Sequence, residues 1–500
     1  MKKATYFIRK PLFLAFITIM ISMPGRVFAY YAGTADVAKY NVRDFNALGD
    51  GVTDDIAAIN RCIDTAVAHG GGIVYFPTTN AAYVVSAPII LPSNIVLLGD
   101  NKRGLTQSRI KPSAGYNGHL IRSKNYGDSL IQYSGIVGLY LDGSTTTWTA
   151  ISLYAHSSTI EDCTIRFCYT YGIELKGVNG SNLGLNNTIT NNFLQGLDNV
   201  KFYNAIMVDY YTADIEISGN YIERCTEAAI KLRSYNNRVI NNHIFYVGTH
   251  IQLDETQENI ITSNYLEYAD NASIKIASGS NINYTVDAII SENIFRNINM
   301  SQSTSVNGVV EVNGYNTEGF IVKNNRLRKD NNVTAGAIPY FVYVSDTSRK
   351  EHSVFDNVWQ GTLIAQYETN IRTPFSVNRS LGYVGVGVNN PTTKFAVNGD
   401  IAAKKLKVSQ LGWPDYVFEA GYKLKPLHEV ESFIKTNKHL PGVPSAKAVE
   451  EKGLDVGDGQ AALLKKVEEL TLYIIQLRKD VNQQKAINKK HALLIRKARK

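Results

Sequence analysis

The strongest constraint on this chain is a phrase repeated eight times between Ala150 and Ser345: AISLY, GIELK, AIMVD, AIKLR, HIQLD, SIKIA, VVEVN and FVYVS. Each copy alternates two apolar residues with two others, the period of a strand buried on one side. The apolar positions Ile151, Ile173, Ile206, Ile230, Ile251, Ile274, Val310 and Val342 recur 21 to 36 residues apart. Strands of one design at that spacing predict a stacked solenoid, because no single copy can bury its apolar face alone. Stacking in register turns the remaining positions into two parallel ladders. One reads Ser152, Glu174, Met207, Lys231, Gln252, Lys275, Glu311, Tyr343, and the other Tyr154, Lys176, Asp209, Arg233, Asp254, Ala277, Asn313, Ser345.

A second phrase falls between these strands. Asn192, Asn220, Asn242, Asn264, Asn293, Asn325 and Asn357 each follow an apolar strand, with Asp162 in the equivalent earlier place. An amide carries both donors and an acceptor, so stacked copies can satisfy one another inside the solenoid. Their expected role is to hold register, in preference to glycosylation or ligand binding. The Asp142–Gly143 pair marks a turn at the start of the regular rungs. Longer gaps predict loops around Gly177–Asn187, and around Ser278–Asp287 or Asn299–Asn307, of the kind that shape a groove.

Before the repeats lie a basic start (Lys2, Lys3, Arg9, Lys10), an apolar run from Leu12 to Met23, and Val27-Phe28-Ala29. That order predicts a signal peptide over residues 1–29 and an exported protein, secreted or held at the cell surface or in the periplasm, with no membrane span after its removal. Charge then changes meaning. Of the formal +8, five positives belong to residues 1–29 and seven to residues 481–500, which hold no acid. The remainder is slightly acidic, which excludes a broad basic field for nucleic acid. Cys163 and Cys168 share a rung and Cys225 lies two rungs on, about 9.6 Å away at strand spacing. With Cys62 in a separate helix, buried free thiols are expected in place of disulfides.

The start of the ordered chain reads DFNALGDGVTDD over residues 44–55. A helix should follow, capped by Thr53 or Asp54, with Ile56, Ile59, Ile63 and Val67 as its apolar face and Gly70-Gly71-Gly72 as its stop. Short strands come next at Ile73–Phe76, Tyr83–Ser86 and Ile95–Leu98. The stretches DFNALGDGVTDD, GGGIVYFP and SAPIILPSNIVLLGDN resemble the N-terminal start of the pectate-lyase-like right-handed β-helix superfamily, which includes rhamnogalacturonase/epimerase-type enzymes, polygalacturonase-like hydrolases and phage tailspikes. The resemblance implies an all-β chain: a single-stranded right-handed parallel β-helix over residues 30–375, with a helical cap at 40–105 and regular rungs at 136–365. Asn46 stands where the family usually has Gly. The motif caps the solenoid, and Asp50, Asp54 and Asp55 in it are expected as turn and cap residues.

Chemistry, if present, should lie on the two ladders. Lys176, Asp209, Arg233 and Asp254 occupy four successive rungs with alternating sign, flanked by Glu174 and Lys231. One reading is an exposed salt-bridge strip. The other is an axial groove for an acidic polysaccharide. A hydrolase would use Asp209 with Asp254, or Asp209 with Glu174, as paired carboxylates. A lyase would use Lys176, Lys231 or Arg233 as base or as neutraliser of a uronate carboxylate, and only that mechanism brings in calcium as a cofactor. The candidate catalytic set is therefore Asp209, Asp254, Arg233, Glu174 and Lys231, with Lys176, Tyr154, Gln252, Lys275 and Tyr210 as substrate-binding residues. Tyr169, Tyr171, Tyr203 and Tyr211 are further candidates for sugar-stacking walls. The Asp-Asp setting of polygalacturonases and the Arg-x-Pro-x-x-Arg of pectate lyases are absent, so no family catalytic residue carries over. His243 and His250 show no metal spacing.

After Phe375 the style changes. Residues 376–410 read as a β-rich linker, and 411–460 as a small module. GYVGVGVNNP resembles the repeats that precede tail-fibre-like C-terminal domains, and WPDYVFEAGYKL and HEVESFIKTNKHLPGVPSA resemble the C-terminal modules of exported Bacteroidota proteins. Residues 461–500 carry a coiled-coil seam (Leu463, Val467, Leu470, Ile474, Leu477, Val481) and a basic tail. The seam implies a homo-oligomer. Its residue choice favours a dimer, whereas the fibre resemblance favours a trimer, which is the expectation adopted. Two functions remain open: an enzyme that binds and cleaves an acidic polysaccharide, or a non-catalytic surface fibre whose β-helix binds glycans.

Overall fold

The structure is a computed structural model that describes residues 37–100, 107–277, 285–313, 317–330, 333–345, 352–359, 365–367, 376–378, 382–388, 391–409 and 413–498. The expected signal segment lies outside these residues, as does part of the expected loop at 278–287. The chain forms two compact units that divide between Gly399 and Asp400.

The first unit is a right-handed parallel β-helix. Its first ladder forms in the expected register: Ser152 faces Glu174, then Met207, Lys231, Gln252, Lys275, Glu311 and Tyr343 in turn. The second ladder follows, with Tyr154 opposite Lys176 and Asp254 opposite Ala277 and then Asn313. Each rung contributes strands to three faces. One face is a sheet of 12 strands, and the other two are joined in a sheet of 21, because Tyr221–Leu232 and His243–Asp254 run through both. Inward residues stack by type, so Ile173, Ile206, Ile230, Ile251 and Ile274 form one fully buried column. Burial of each such side chain stabilises by roughly 1.5–3 kcal/mol.

The amide ladder is continuous. From Asn192 through Asn220, Asn242, Asn264, Asn293 and Asn325 to Asn357, each Nδ2 donates to the next Oδ1 at 2.9 to 3.0 Å. The backbone N–H of each donor residue reaches the same oxygen. Its first rung is Cys163, whose N–H donates to Asn192 Oδ1 at 3.0 Å. Asp162, expected in that place, instead occupies the corner before it. Asp162, Asn191, Gly219, Asn241, Ser263, Glu292 and Asn324 all take the left-handed conformation there, with φ between 52° and 66°. A second, shorter stack, which the sequence reading did not identify, pairs Asn237 Nδ2 with Asn259 Oδ1 at 2.8 Å.

The cap closes the first rung with a helix, α1 (Ile56–Ala68). Its buried face is Ala58, Ile59, Cys62, Ile63 and Ala66. Val67, expected on that face, is 40% exposed, because the apolar column follows positions 59, 62, 63 and 66. Asp54, one of the two expected caps, accepts from the first helical N–H, while the N-cap position itself belongs to Asp55, whose side chain makes no bond to the helix. The buried Asp55 carboxylate accepts from the N–H groups of Leu48 at 2.6 Å, Gly49 at 3.1 Å and Val84 at 3.3 Å, tying helix, turn and sheet together. Asp54 accepts from Ile56 N at 3.2 Å, and Thr53 bonds to Asp50. Asn46 ends the preceding turn at φ 69°. Asn enters that region more readily than other residues with a Cβ, which explains why it can replace glycine. All four cysteines are free and buried. Burial pushes the thiols of Cys62, Cys163 and Cys225 up to about 12, so they are poor nucleophiles.

The second unit has a short 3-10 turn at Pro414–Phe418 and three helices, α2 (Leu427–Asn437), α3 (Ala446–Lys452) and α4 (Val456–Ala498). Between the rungs and this unit, Ser376–Asn378, Tyr383–Val386 and Phe395–Val397 form a small sheet. Among the described residues no helix is long and apolar enough to cross a membrane.

Two outcomes follow for stability. Asn242→Ala deletes the acceptor for Asn220 and strands buried amide groups, so denaturant unfolding should show a loss of about 3 kcal/mol. Asn191→Ala, at the exposed corner, should cost less. His250 is the second case. It is fully buried, donates from Nε2 to the Glu267 carbonyl at 3.0 Å and accepts at Nδ1 from Ser273 Oγ at 2.8 Å. Burial pushes it down to about 4 from an ordinary 6.5. The unfolded chain therefore binds its proton first, and stability falls as pH drops from 6.5 towards 4, by up to about 3 kcal/mol. Stability measured across that window should fall with pH in the native chain, and this slope should flatten in His250→Gln.

Candidate functional site

The two ladders share one outward face, but they are not uniformly open. At the early rungs the segment between strands His119–Ser123 and Ile131–Gln132 folds over the face and sets Tyr126 above Ser152. Ser152 and Glu174 are buried beneath it, and Met207 on the next rung is buried as well, although their alternation marks them as outward. At the far end Glu311 is also buried, and its Oε1 accepts from Asn307 N at 2.7 Å. Lys231, Gln252 and Lys275 remain half-open between these covers.

The early rungs hold a connected group. The Tyr126 hydroxyl lies 3.0 Å from Ser152 Oγ, and Ser152 Oγ donates to Glu174 Oε2 at 2.5 Å. Lys176 Nζ sits 2.8 Å from Glu174 Oε1. Burial works to lower the Lys176 pKa, but the hydrogen bond and charge of Glu174 outweigh it and hold the ammonium above its ordinary value. Rings enclose the group: Tyr126 and Tyr154 meet edge to face at 4.9 Å, and the Arg122 guanidinium lies 5.5 Å from the Tyr126 ring. The His119 ring lies tilted 5.6 Å from that of Tyr126, and its buried Nδ1 has no hydrogen-bond partner among the described residues. Burial lowers its pKa and favours the neutral imidazole.

The later rungs are arranged differently. Asp209 pairs with Arg233 at 3.4 Å, and Asp254 pairs with Lys231 at 2.9 Å. Gln252 Nε2 also donates to Asp254 at 2.9 Å. Arg233 lies over the Tyr210 ring at 3.8 Å and hydrogen-bonds its hydroxyl, which in turn reaches Glu255 at 2.9 Å. The expected alternating charges are thus local ion pairs, each partly exposed. Lys275 stands apart, with no ion pair among the described residues. The ten candidate residues therefore fall into an early group (Glu174, Lys176, Tyr154) and a later one (Asp209, Arg233, Lys231, Asp254, Gln252, Tyr210, Lys275).

Tyr126, Ser152, Arg122 and His119 were not singled out by sequence reasoning. Three of them precede the first recognised repeat, and Ser152 is an unremarkable ladder position until Tyr126 covers it. The adjoining face, which follows the amide ladder, was also missed. There Glu267 joins His243 and Arg296 at 3.0 Å each, and Arg296 continues to Asp330 at 2.6 Å. Those groups satisfy one another. No cluster of three or more His, Cys, Asp or Glu with metal-site geometry occurs among the described residues. Glu174, Asp209 and Asp254 instead stand singly against cations, which does not fit a calcium cage of six to eight oxygens.

Comparison with known proteins agrees with this architecture. Residues 39–146 match the family described as rhamnogalacturonase A/epimerase, pectate lyase-like, and residues 149–327 match the right-handed β-helix region. The mannuronan C5-epimerase AlgE5 of Azotobacter vinelandii is 39% identical over 115 residues, covering 21% of this chain and 11% of that protein. Alginate lyase 7 of the same organism is 40% identical over 116 residues, covering 21% of this chain and 13% of its own length. The chain thus spans only about a tenth of these relatives. Among solved structures, the tailspike protein of E. coli bacteriophage HK620 in complex with pentasaccharide shares the fold, with a TM-score of 0.54 at 13% identity over 66% of this chain and 63% of that one. Residues 39–146 and 149–327 thus match, in succession, a pectate-lyase-like family and the right-handed β-helix region, in agreement with the observed fold.

Proposed function

We propose that this chain is an exported protein that binds an acidic polysaccharide along its ladder face and processes uronate units at the early rungs. One observation carries the reading: a hydrogen-bond chain runs from the half-buried Tyr126 hydroxyl through Ser152 to the buried Glu174 carboxylate. Glu174 itself is too covered to meet a polymer, so a proton must travel by way of the two hydroxyls. In the proposed step the proton beside the uronate carboxylate passes to the Tyr126 oxygen. The Tyr126 proton moves to Ser152, and the Ser152 proton moves to Glu174. Lys176 and Arg122, which lie 6.0 and 5.5 Å from the Tyr126 ring, offset the charge that develops on the substrate carboxylate. The resulting carbanion can expel the neighbouring glycosidic oxygen, which takes a proton from water, or can itself take a proton from water on its other face, which are the outcomes of a lyase and an epimerase.

Hydrolysis is the weaker chemistry for this face, because it needs two available carboxylates and Asp209 and Asp254 are each neutralised by a cation. On this reading Asp209, Arg233, Lys231 and Asp254 hold the polymer together with Gln252, Lys275, Tyr210 and Tyr154, in place of catalytic roles. The same pairing favours a second reading, a glycan-binding surface fibre without catalysis.

Incubation with a panel of uronate polymers, followed by absorbance for unsaturated ends and by NMR for inverted sugars, separates the two. Product is expected from the native chain. Tyr126→Phe and Glu174→Gln should each lower its rate about 100-fold or more, with unfolding midpoint and polymer binding little changed. Full activity in both variants would reject the relay. Binding without product on every polymer would establish the fibre reading instead. Lys275→Ala should weaken polymer binding and leave the rate at saturation unchanged.

A further inference from the structure

The helix α4 is 43 residues long, and the rest of its unit covers only one side of it. Tyr422 bonds to Glu469, Tyr473 donates to the Lys425 carbonyl at 2.5 Å, and Lys465 lies 5.3 Å from the Tyr416 ring. The neighbouring side is apolar and open. Leu463, Val467, Leu470, Ile474, Leu477 and Val481 are 42% to 63% exposed, at spacings of four and three. An apolar stripe with a 3.5-residue period matches a partner helix of the same period, and α4 offers one in every other copy of the chain.

We infer that this seam is closed by the same seam of a second copy, as a parallel, in-register, two-stranded coiled coil. The core positions specify the number of strands. Val467, Ile474 and Val481 fall at a and Leu463, Leu470 and Leu477 at d, and β-branched a with Leu d favours two strands over three. The helix runs unbroken to Ala498, so the frame passes through the polar interruption at Gln484 and places Asn488 at a, followed by Ile495 at the next a. A lone Asn at a pairs with its own copy across a parallel dimer axis only when the two helices are in register. Charge agrees: Asp480 at g faces the e position of the next heptad in the partner, which is Lys485, whereas an antiparallel pair would set like positions together. The trimer expected from the tail-fibre resemblance has no counterpart in these core residues. The inference is independent of the glycan reading.

Light scattering on the full chain at micromolar concentration should give the mass of two chains. One chain or three would overturn the proposal. Ile474→Lys lies outside the β-helix and on an open surface, so it should yield a monomer with unchanged β circular dichroism; a retained dimer would reject the seam. Leu477→Cys should form an inter-chain disulfide on mild oxidation, since the native thiols are buried. No cross-link would reject the parallel, in-register arrangement.

Discussion

The amide-to-amide hydrogen bond inside the solenoid is the contact on which the other features rest. A parallel sheet can slip by whole residues, and a slip of one would turn every inward isoleucine outward. Each ladder Asn blocks that slip twice over, because one Oδ1 receives both the amide and the backbone N–H of the previous rung. Once these bonds define the rung height, the isoleucine column, the outward ladders and the corner conformations take their places without further instruction. The charged face inherits its order from an uncharged interior.

The fold was legible because it is redundant. Eight strands, seven amides and a cap motif all point to one architecture, and an error at one rung is corrected by its neighbours. The errors that did occur lie where redundancy ends: Asp162 was placed one residue too early in the ladder, and Val67 on the wrong side of α1. The site was legible only in position. Alternation identified Glu174 and Lys176 as outward, yet it could not show that Tyr126 closes over them, since that tyrosine belongs to a connection outside the repeat. Spacing allowed a salt-bridge strip along the second ladder, which the Asp209–Arg233 pair realises, but it could not show that Asp254 would find its cation, Lys231, on the other ladder.

The contrast between early and later rungs has a physical basis. In the later rungs each charge is half-exposed and paired, a state that is cheap to maintain and adds little stability. In the early rungs a carboxylate is buried with a hydroxyl, an ammonium and three rings around it, so its protonation is tied to groups that reach the surface. Such a carboxylate is costly to bury and has little structural use, since the isoleucine column already secures those rungs.

The corners of the solenoid carry a different consequence. Each rung turns through left-handed backbone, which is easy for glycine and tolerable for asparagine, yet Tyr133, Glu258, Ser263 and Glu292 also adopt it, with φ between 52° and 59°. Each of these side chains holds the chain in a conformation that costs roughly 1–2 kcal/mol, and the ladder absorbs that cost. A close-packed core leaves little room for improvement, whereas these exposed turns could be changed to Asn or Gly without touching either the interior or the charged face. The reserve of stability in this fold lies at its corners.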